Sequence, residues 1–471
     1  MRRRPQFRLR PAVLLLSTAT AGQQAPPQTE EQLAFEDLLQ QQACSSAVVL
    51  KPSPTCHGYG LFLTKDVKPG DVVLSVPSTA CLIVDYQAGL ELPPAPWPRL
   101  LKAVRRDNST PWDILLALAL LDSLAGAGGA FWERYANTLL PQPTQLTLPC
   151  CLPGLKLLPE LQHEAIIAGA RAQKARLRGL FPGLAAPMCE GGPSWLEWGF
   201  GCVRSRAFRL GPDAFAFVPF LDAANHSPEP SCDFRLWSEG GAVQLVAIRE
   251  ARAGEEATIS YTGPQGMTNQ RLMAQYGFVP PHGNPADQLA FATLSSTADT
   301  ALQDPSQSGA PAAALAAVRA SSSRGSAPVL LSLERLQACL GDGQTMAAAF
   351  SGRDPYLYAA LKSLPLALDE SQASPVAEQQ QLASALLSEL EQERSLWLTA
   401  PAEDQALLST LGQAAGREAT GFGAAEYQSS SAQAAGLAAD RRLEAAVQYR
   451  LQRKLLVGAG TLLLRRFLAA A

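Results

Sequence analysis

The chain has 471 residues, 47% of them hydrophobic, with 39 Lys and Arg against 42 Asp and Glu and a net charge of −3. That is chain enough for roughly two or three domains with a sizeable apolar core, without the strongly basic balance of a protein that coats nucleic acid. Nine cysteines without a CxxC pair, and four histidines without an HExxH arrangement, point to reduced thiols rather than a disulfide framework and give no expectation of a metal centre.

Residues 1–29 contain no Asp or Glu, and Arg2, Arg3, Arg4, Arg8 and Arg10 precede a short apolar run, Ala12 to Leu16. Such an acid-free, arginine-bearing leader fits an organelle transit peptide, with a disordered tail as the alternative. We therefore expect residues 1–44 to be leader and linker. Nowhere does an apolar run reach the roughly 18–20 residues that a membrane helix needs.

Glu31–Gln42 reads as a short amphipathic helix. Val48–Leu50, Gly58–Leu63 and Val72–Val76 read as strands separated by turns, the last closed by Pro77. From Pro111 to about Gly126 the apolar residues Ile114, Leu115, Leu118 and Leu121 recur at helical spacing. Helical stretches with proline-rich loops continue to about Phe208. Ala216–Leu221, Asp233–Trp237 and Val243–Ile248 are strand-like, with Glu239-Gly-Gly241 as a hairpin turn. Ala257–Tyr261 is expected as a further strand and Thr268–Tyr276 as a helix. Beyond about Pro285, Ala, Ser, Gln and Leu dominate. Residues 303–328 look like a flexible insert, whereas Glu378–Leu398 and Arg441–Val457 read as helices.

The chemistry-bearing segments, in order, are His57-Gly-Tyr-Gly-Leu-Phe62, Arg204-Ser-Arg-Ala-Phe208, Asp222-Ala-Ala-Asn-His-Ser227, Gly254-Glu-Glu-Ala-Thr-Ile-Ser-Tyr261 and Tyr276-Gly-Phe278. Singly they say little. Gly58 and Gly60 lead into a strand rather than a helix, which disfavours a dinucleotide loop. Taken alone, Asn225-His226 is a capped strand end, Tyr261 a strand-edge aromatic and Phe278 a core residue.

Together and in this order they resemble the SET domain, most closely the class of the ribulose-bisphosphate carboxylase large-subunit lysine methyltransferase. The motif-bearing resemblance covers about residues 47–285. A weaker one continues from about Arg353, resting on Tyr449-Arg-Leu-Gln-Arg-Lys454 and the helical pattern. It implies an α+β fold: a β-rich SET core with a knot-like crossing over 45–285, a helical insertion near 100–205, and an all-α substrate-binding domain over 286–471.

The resemblance also implies an S-adenosyl-L-methionine-dependent protein-lysine methyltransferase. The backbone of Gly58, Tyr59 and Gly60 would lie along the methionine part of the cofactor. Arg206 would approach its carboxylate, where a guanidinium fork suits a planar anion. Asn225 would bond its polar end, His226 would read the adenine edge and Phe278 would stack on the adenine. Tyr261 would touch the cofactor's reacting end and act as the catalytic tyrosine, with Tyr276 lining the substrate channel. A target lysine, with a reference pKa of about 10.4, must arrive neutral. A narrow apolar channel beside a sulfonium favours that by desolvation and like charge. No metal is required.

Three departures from the class stand out. His57 occupies a position where many members have Glu, which removes a carboxylate partner for the cofactor's ammonium. The loop Thr262–Thr268 is longer than the common form. No cysteine cluster follows Phe278, so a zinc-bearing post-SET module is not expected. Alternatives are a protein-histidine methyltransferase and a non-catalytic SET-fold binding module. The expected partner is a protein substrate held by the helical domain of a monomer, with neither nucleic acid nor membrane. The expected location is the plastid (chloroplast), with cytoplasm or nucleus as alternatives.

Overall fold

The computed structural model describes residues 28–469 except 43, 55, 57, 86–88, 92–109, 125, 127, 155, 238–240, 264–265, 295–352, 365, 367–376 and 422–430. The leader up to residue 27, the insert near 303–328, His57 and most of the 239–241 turn lie outside the described residues.

Helix α1 (Glu30–Gln41) starts at Thr29, whose side chain accepts from the backbone of Gln32 while the Gln32 side chain returns to the Thr29 N–H. This reciprocal cap satisfies two otherwise orphaned donors. Ala34, Phe35, Leu38 and Leu39 form its buried face, which packs on β2 (Val48–Pro52). β2 pairs antiparallel with β3 (Tyr59–Leu63), from Val48 opposite Leu63 to Pro52 opposite Tyr59.

Two four-stranded antiparallel sheets accompany this hairpin. In one, β1 (Ser45–Ser46) pairs with β4 (Val72–Pro77), β4 with β10 (Ala242–Ala247), and β10 with β9 (Cys232–Trp237). β10 is buried along its whole length. Its polar residue, Gln244, is satisfied by Arg235, whose Nε and Nη2 both donate at 3.1 Å. In the other sheet the order is β6 (Gly89–Glu91), β5 (Leu82–Asp85), β8 (Ala214–Phe217), β7 (Phe208–Arg209).

The stretch between β6 and β7 is helical where described. α2 (Trp112–Leu124) is buried nearly all round, as a helix apolar on every face must be. α3 (Gly129–Thr138), α4 (Glu164–Leu180) and α5 (Trp195–Arg206) follow. Their apolar residues join those of the sheets in one core that includes Leu61, Val76, Leu118, Trp132, Val203, Phe217 and Leu245.

After α6 (Asn269–Tyr276) the described elements are all helices: α7 (Pro355–Ser363), α8 (Ala377–Ser395), α9 (Pro401–Gly421) and α10 (Ser431–Ala469). Leu357, Leu386, Leu390, Leu456, Leu463 and Phe467 build a second core. Fully burying such a side chain is worth roughly 1.5–3 kcal/mol.

α10 also clamps the insertion. Ala446 and Tyr449 pack with Leu158, Ile166, Ile167, Met273 and Val279. Lys454, almost fully buried, donates to Asp404 and Thr399 O at 2.7 Å and to Gln162 at 2.9 Å. Arg450 joins Asp404 to Glu160. Buried charges persist only when paired and fully hydrogen-bonded, so the Tyr449–Lys454 segment specifies how α10 seats. Among the described residues no single helix is long and apolar enough to cross a membrane.

Three local expectations need correction. The strand expected over Ala216–Leu221 ends at Phe217, because Pro219 has no N–H to continue a ladder and Phe220 has φ +69°. Ala257–Tyr261 is not a strand. It is an extended segment shared between two neighbours, each contacted through single bridges. The helix expected to end near Val457 continues to Ala469, because Leu463, Leu464 and Phe467 extend its buried stripe past two glycines.

Candidate active site

The site is assembled by residues 254–261, which run between β3 and the Asn225-His226 turn. On one side Ala257 N donates to Leu61 O at 2.7 Å and Leu63 N to Glu255 O at 2.9 Å. On the other, Ile259 N donates to Asn225 O at 2.9 Å and Ser227 N to Ile259 O at 3.0 Å. Backbone bonds alone therefore bring the Gly-x-Gly strand, the Asn-His turn and the approach to Tyr261 together.

Asn225 Nδ2 donates to Tyr59 O at 3.1 Å and to Glu256 Oε1 at 2.7 Å. Ser53 Oγ donates to Glu256 Oε2 at 2.9 Å. Gly60 makes room for this arrangement: a Cβ there would lie 2.1 Å from Glu256 Oε1. The requirement at Gly60 is close approach.

Arg206, the last residue of α5, donates from Nη1 to Asp222 Oδ2 at 3.0 Å and to Asp222 O at 3.1 Å. Both of its hydrogen bonds to described residues leave from Nη1, so Nη2 and Nε are available to a ligand. Burial works against the guanidinium charge, but Asp222 together with Cys202, Tyr135 and Tyr261 outweighs it and the pKa rises. Burial raises the Asp222 pKa, against the pull of Arg206 and Tyr135. Asp222 sits in a 3₁₀ turn, Leu221–Ala223, entered through Phe220. A positive φ at a bulky residue is strained backbone. It is held by Phe220 N donating to the Tyr135 hydroxyl at 2.8 Å, and by the Phe220 ring edge-on to Phe35 and Tyr135. The Tyr135 hydroxyl in turn donates to Asp222.

The third part is aromatic. Ring centroids of Tyr261 lie 4.8 Å from Tyr276, 5.4 Å from His226 and 6.3 Å from Phe278. The Tyr261 hydroxyl donates to Ala224 O at 2.7 Å, and Tyr261 N donates to His226 Nδ1 at 3.2 Å. Burial pushes the Tyr261 phenol well up, partly opposed by Arg206. Burial lowers His226, partly offset by the Ile259 backbone. Tyr276 and Phe278 flank Gly277, which closes α6 at φ +79°. A Cβ there would meet Thr147 Oγ1 at 2.4 Å and Leu148 N at 2.7 Å.

The structure thus brings Tyr59, Gly60, Arg206, Asn225, His226, Tyr261, Tyr276 and Phe278 to one region, with Gly58 at its margin preceding β3. Asp222 and Glu256 were visible inside the motifs but carried no assigned role. Tyr135 had no sequence signal, because it lies on an insertion helix far from every motif. Among the described residues no group of three or more His, Cys, Asp or Glu could hold a metal ion.

Residues 58–262 match the family model of the SET domain. The chain is 25% identical over 313 residues to the chloroplastic ribulose-1,5 bisphosphate carboxylase/oxygenase large subunit N-methyltransferase of Pisum sativum, covering 59% of this chain and 58% of that protein. It is 29% identical over 248 residues to SET domain-containing protein 4 of Mus musculus, covering 47% of this chain and 52% of that protein. The chain therefore spans only a little over half the length of these curated relatives. Its fold is that of the crystal structure of the SET domain of LSMT bound to lysine and AdoHcy, with a TM-score of 0.53 at 17% identity over 93% of this chain and 92% of that one.

Proposed function

We infer that this chain, which carries a SET domain over residues 58–262, is an S-adenosylmethionine-dependent methyltransferase acting on protein lysine. The observation that carries the reading is the Tyr261 hydroxyl, fixed at 2.7 Å on Ala224 O beside the turn that presents Asn225 and His226. The donor set fits the cofactor: a charged guanidinium with unused N–H groups for a carboxylate, and a ring cluster for a purine. The relative named as a chloroplastic large subunit N-methyltransferase supports the same reading.

S-adenosylmethionine, when bound, supplies the activated methyl group on a sulfonium. The residues of this chain do the rest by binding and orientation. Arg206 would hold the carboxylate of the methionyl tail, and Phe278 with His226 would receive the adenine. Tyr261 keeps its proton, because burial raises its pKa, so it does not act as a phenolate base. With its hydrogen committed to Ala224 O, its oxygen lone pairs accept from the acceptor amine and turn the nitrogen toward the methyl. Tyr276, packed on Tyr261, walls the channel and excludes water. Desolvation there favours the neutral amine over the ammonium.

The C-terminal helices, from about residue 286, serve in this reading as the platform that holds the protein substrate, and the acid-free leader directs the chain to a plastid. A fusion of residues 1–45 to a fluorescent protein tests the address, and diffuse cytosolic signal would refute it. The activity is tested by titrating the chain with S-adenosylmethionine and then supplying methyl-labelled cofactor to a cell extract. Label on lysine is the expected result. Label confined to histidine would move the acceptor, and absence of binding would end the enzymatic reading.

A further inference from the structure

We propose that Glu256 is the carboxylate that receives the ammonium of the cofactor's methionyl tail. This rests on the methyltransferase reading above and goes beyond it, since that reading gives the Glu256 carboxylate no ligand.

The position is built. The Glu256 backbone is bridged to Phe62 of β3 and bracketed by the Leu63–Glu255 and Ala257–Leu61 hydrogen bonds. Its half-buried side chain returns over β3 into the space that Gly60 leaves, since a Cβ at 60 would meet Oε1 at 2.1 Å and Asn225 Nδ2 at 2.8 Å. One oxygen accepts from Asn225 and the other from Ser53.

The charge has no cationic partner among the described residues. Among the described residues no Lys, Arg or His lies within ion-pair distance of Glu256, and both of its hydrogen bonds come from neutral donors. A carboxylate offers about four acceptor sites, so further sites remain beside the Gly-x-Gly strand. A half-buried anion with neutral partners suits a cationic ligand, whose charge-assisted hydrogen bonds are the strong ones.

Other carboxylates are committed elsewhere. Asp222 spends one oxygen on Tyr135 and the other on Arg206. Glu255 is turned toward Arg252 N and Arg249. The same short turn therefore sets both ends of a zwitterion. Asp222 holds the Arg206 guanidinium for the ligand carboxylate, and Asn225 holds Glu256 for its ammonium. Position 57 is histidine and supplies no carboxylate.

Glu256→Gln keeps the shape and an acceptor for Asn225 while removing the charge. Calorimetric titration should compare S-adenosylhomocysteine with its desamino thioether, which retains the adenosine and the carboxylate but lacks the ammonium. The unmodified chain should prefer S-adenosylhomocysteine. In Glu256→Gln the affinity for it should fall about tenfold or more, as expected for loss of a hydrogen bond to a charged group, while affinity for the desamino thioether stays unchanged. An equal loss for both ligands would make Glu256 a support for Asn225 and overturn the proposal, as would no loss for either. Should Glu256→Gln fail to fold, by its melting curve, Glu256→Asp retains the charge but retracts it by one methylene. A ligand preference identical to the unmodified chain would then overturn the proposal. Failure of the unmodified chain to bind either ligand would instead overturn the methyltransferase reading itself.

Discussion

Tyr135 and Asp222 are hydrogen-bonded to each other although 87 positions apart in sequence, one on an insertion helix and the other on the turn that presents Asn225. The bond sets Asp222 for Arg206, and the same Tyr135 oxygen accepts from Phe220 N, steadying the strained residue that opens the turn. Tyr135→Phe removes both interactions at once and leaves a buried N–H without its partner. The expected loss of stability is about 1–3 kcal/mol, measured by denaturant unfolding, with weaker binding of S-adenosylhomocysteine. Unchanged stability would mean that ring packing alone holds Phe220.

Tyr261→Phe keeps the rings of the aromatic cluster and removes the hydroxyl. Positioning and proton-handling groups contribute on the order of 10²–10⁴-fold, so single-turnover methylation should slow by that order while cofactor affinity is nearly preserved. If Tyr261 only packs, the rate will be unchanged, and Tyr261→Ala will act through melting temperature instead.

His163 reports on the seating of α10. Its Nδ1 lies 2.6 Å from the Tyr449 hydroxyl. Burial, reinforced by the Arg453 charge and partly offset by Glu393, lowers its pKa from 6.5 to about 4. Below the ordinary value the unfolded chain takes up a proton that the folded chain refuses, so stability declines as pH falls from 6.5 toward 4. The full effect of this histidine is about 3 kcal/mol. His163→Gln should flatten the difference between unfolding free energies measured across that window. An unaltered pH slope would refute the buried neutral histidine.

Gly277→Ala tests the geometry behind the ring cluster. The substitution meets both a positive φ of 79° and a collision with the Thr147–Leu148 backbone. A destabilisation above about 1 kcal/mol is expected, read as a drop in melting temperature. Because Gly277 separates Tyr276 from Phe278, binding of S-adenosylhomocysteine should weaken as well. A neutral outcome would show that the turn relaxes without cost.

Much of the architecture was legible because it is written locally. The β-branched run Val72–Val76 closed by Pro77, the helical spacing after Pro111 and the leucine stripe of α8 are each properties that a short window carries. The motif order likewise marks Asn225, His226, Tyr261 and Phe278. What a window cannot carry is a partner. Ala257–Tyr261 reads as a strand entered from the turn Ala253-Gly-Glu255. Whether it joins a sheet depends on what lies beside it, and single bridges to two different neighbours replaced a ladder. Arg206 was readable as a cation, but its tether to Asp222, and that of Asp222 to Tyr135, links residues from three separate parts of the chain. Glu256 has no role that its sequence neighbourhood assigns. Only the tertiary structure decided that its carboxylate lies over Gly60 beside Asn225, because the space it occupies is created by a missing side chain on another strand.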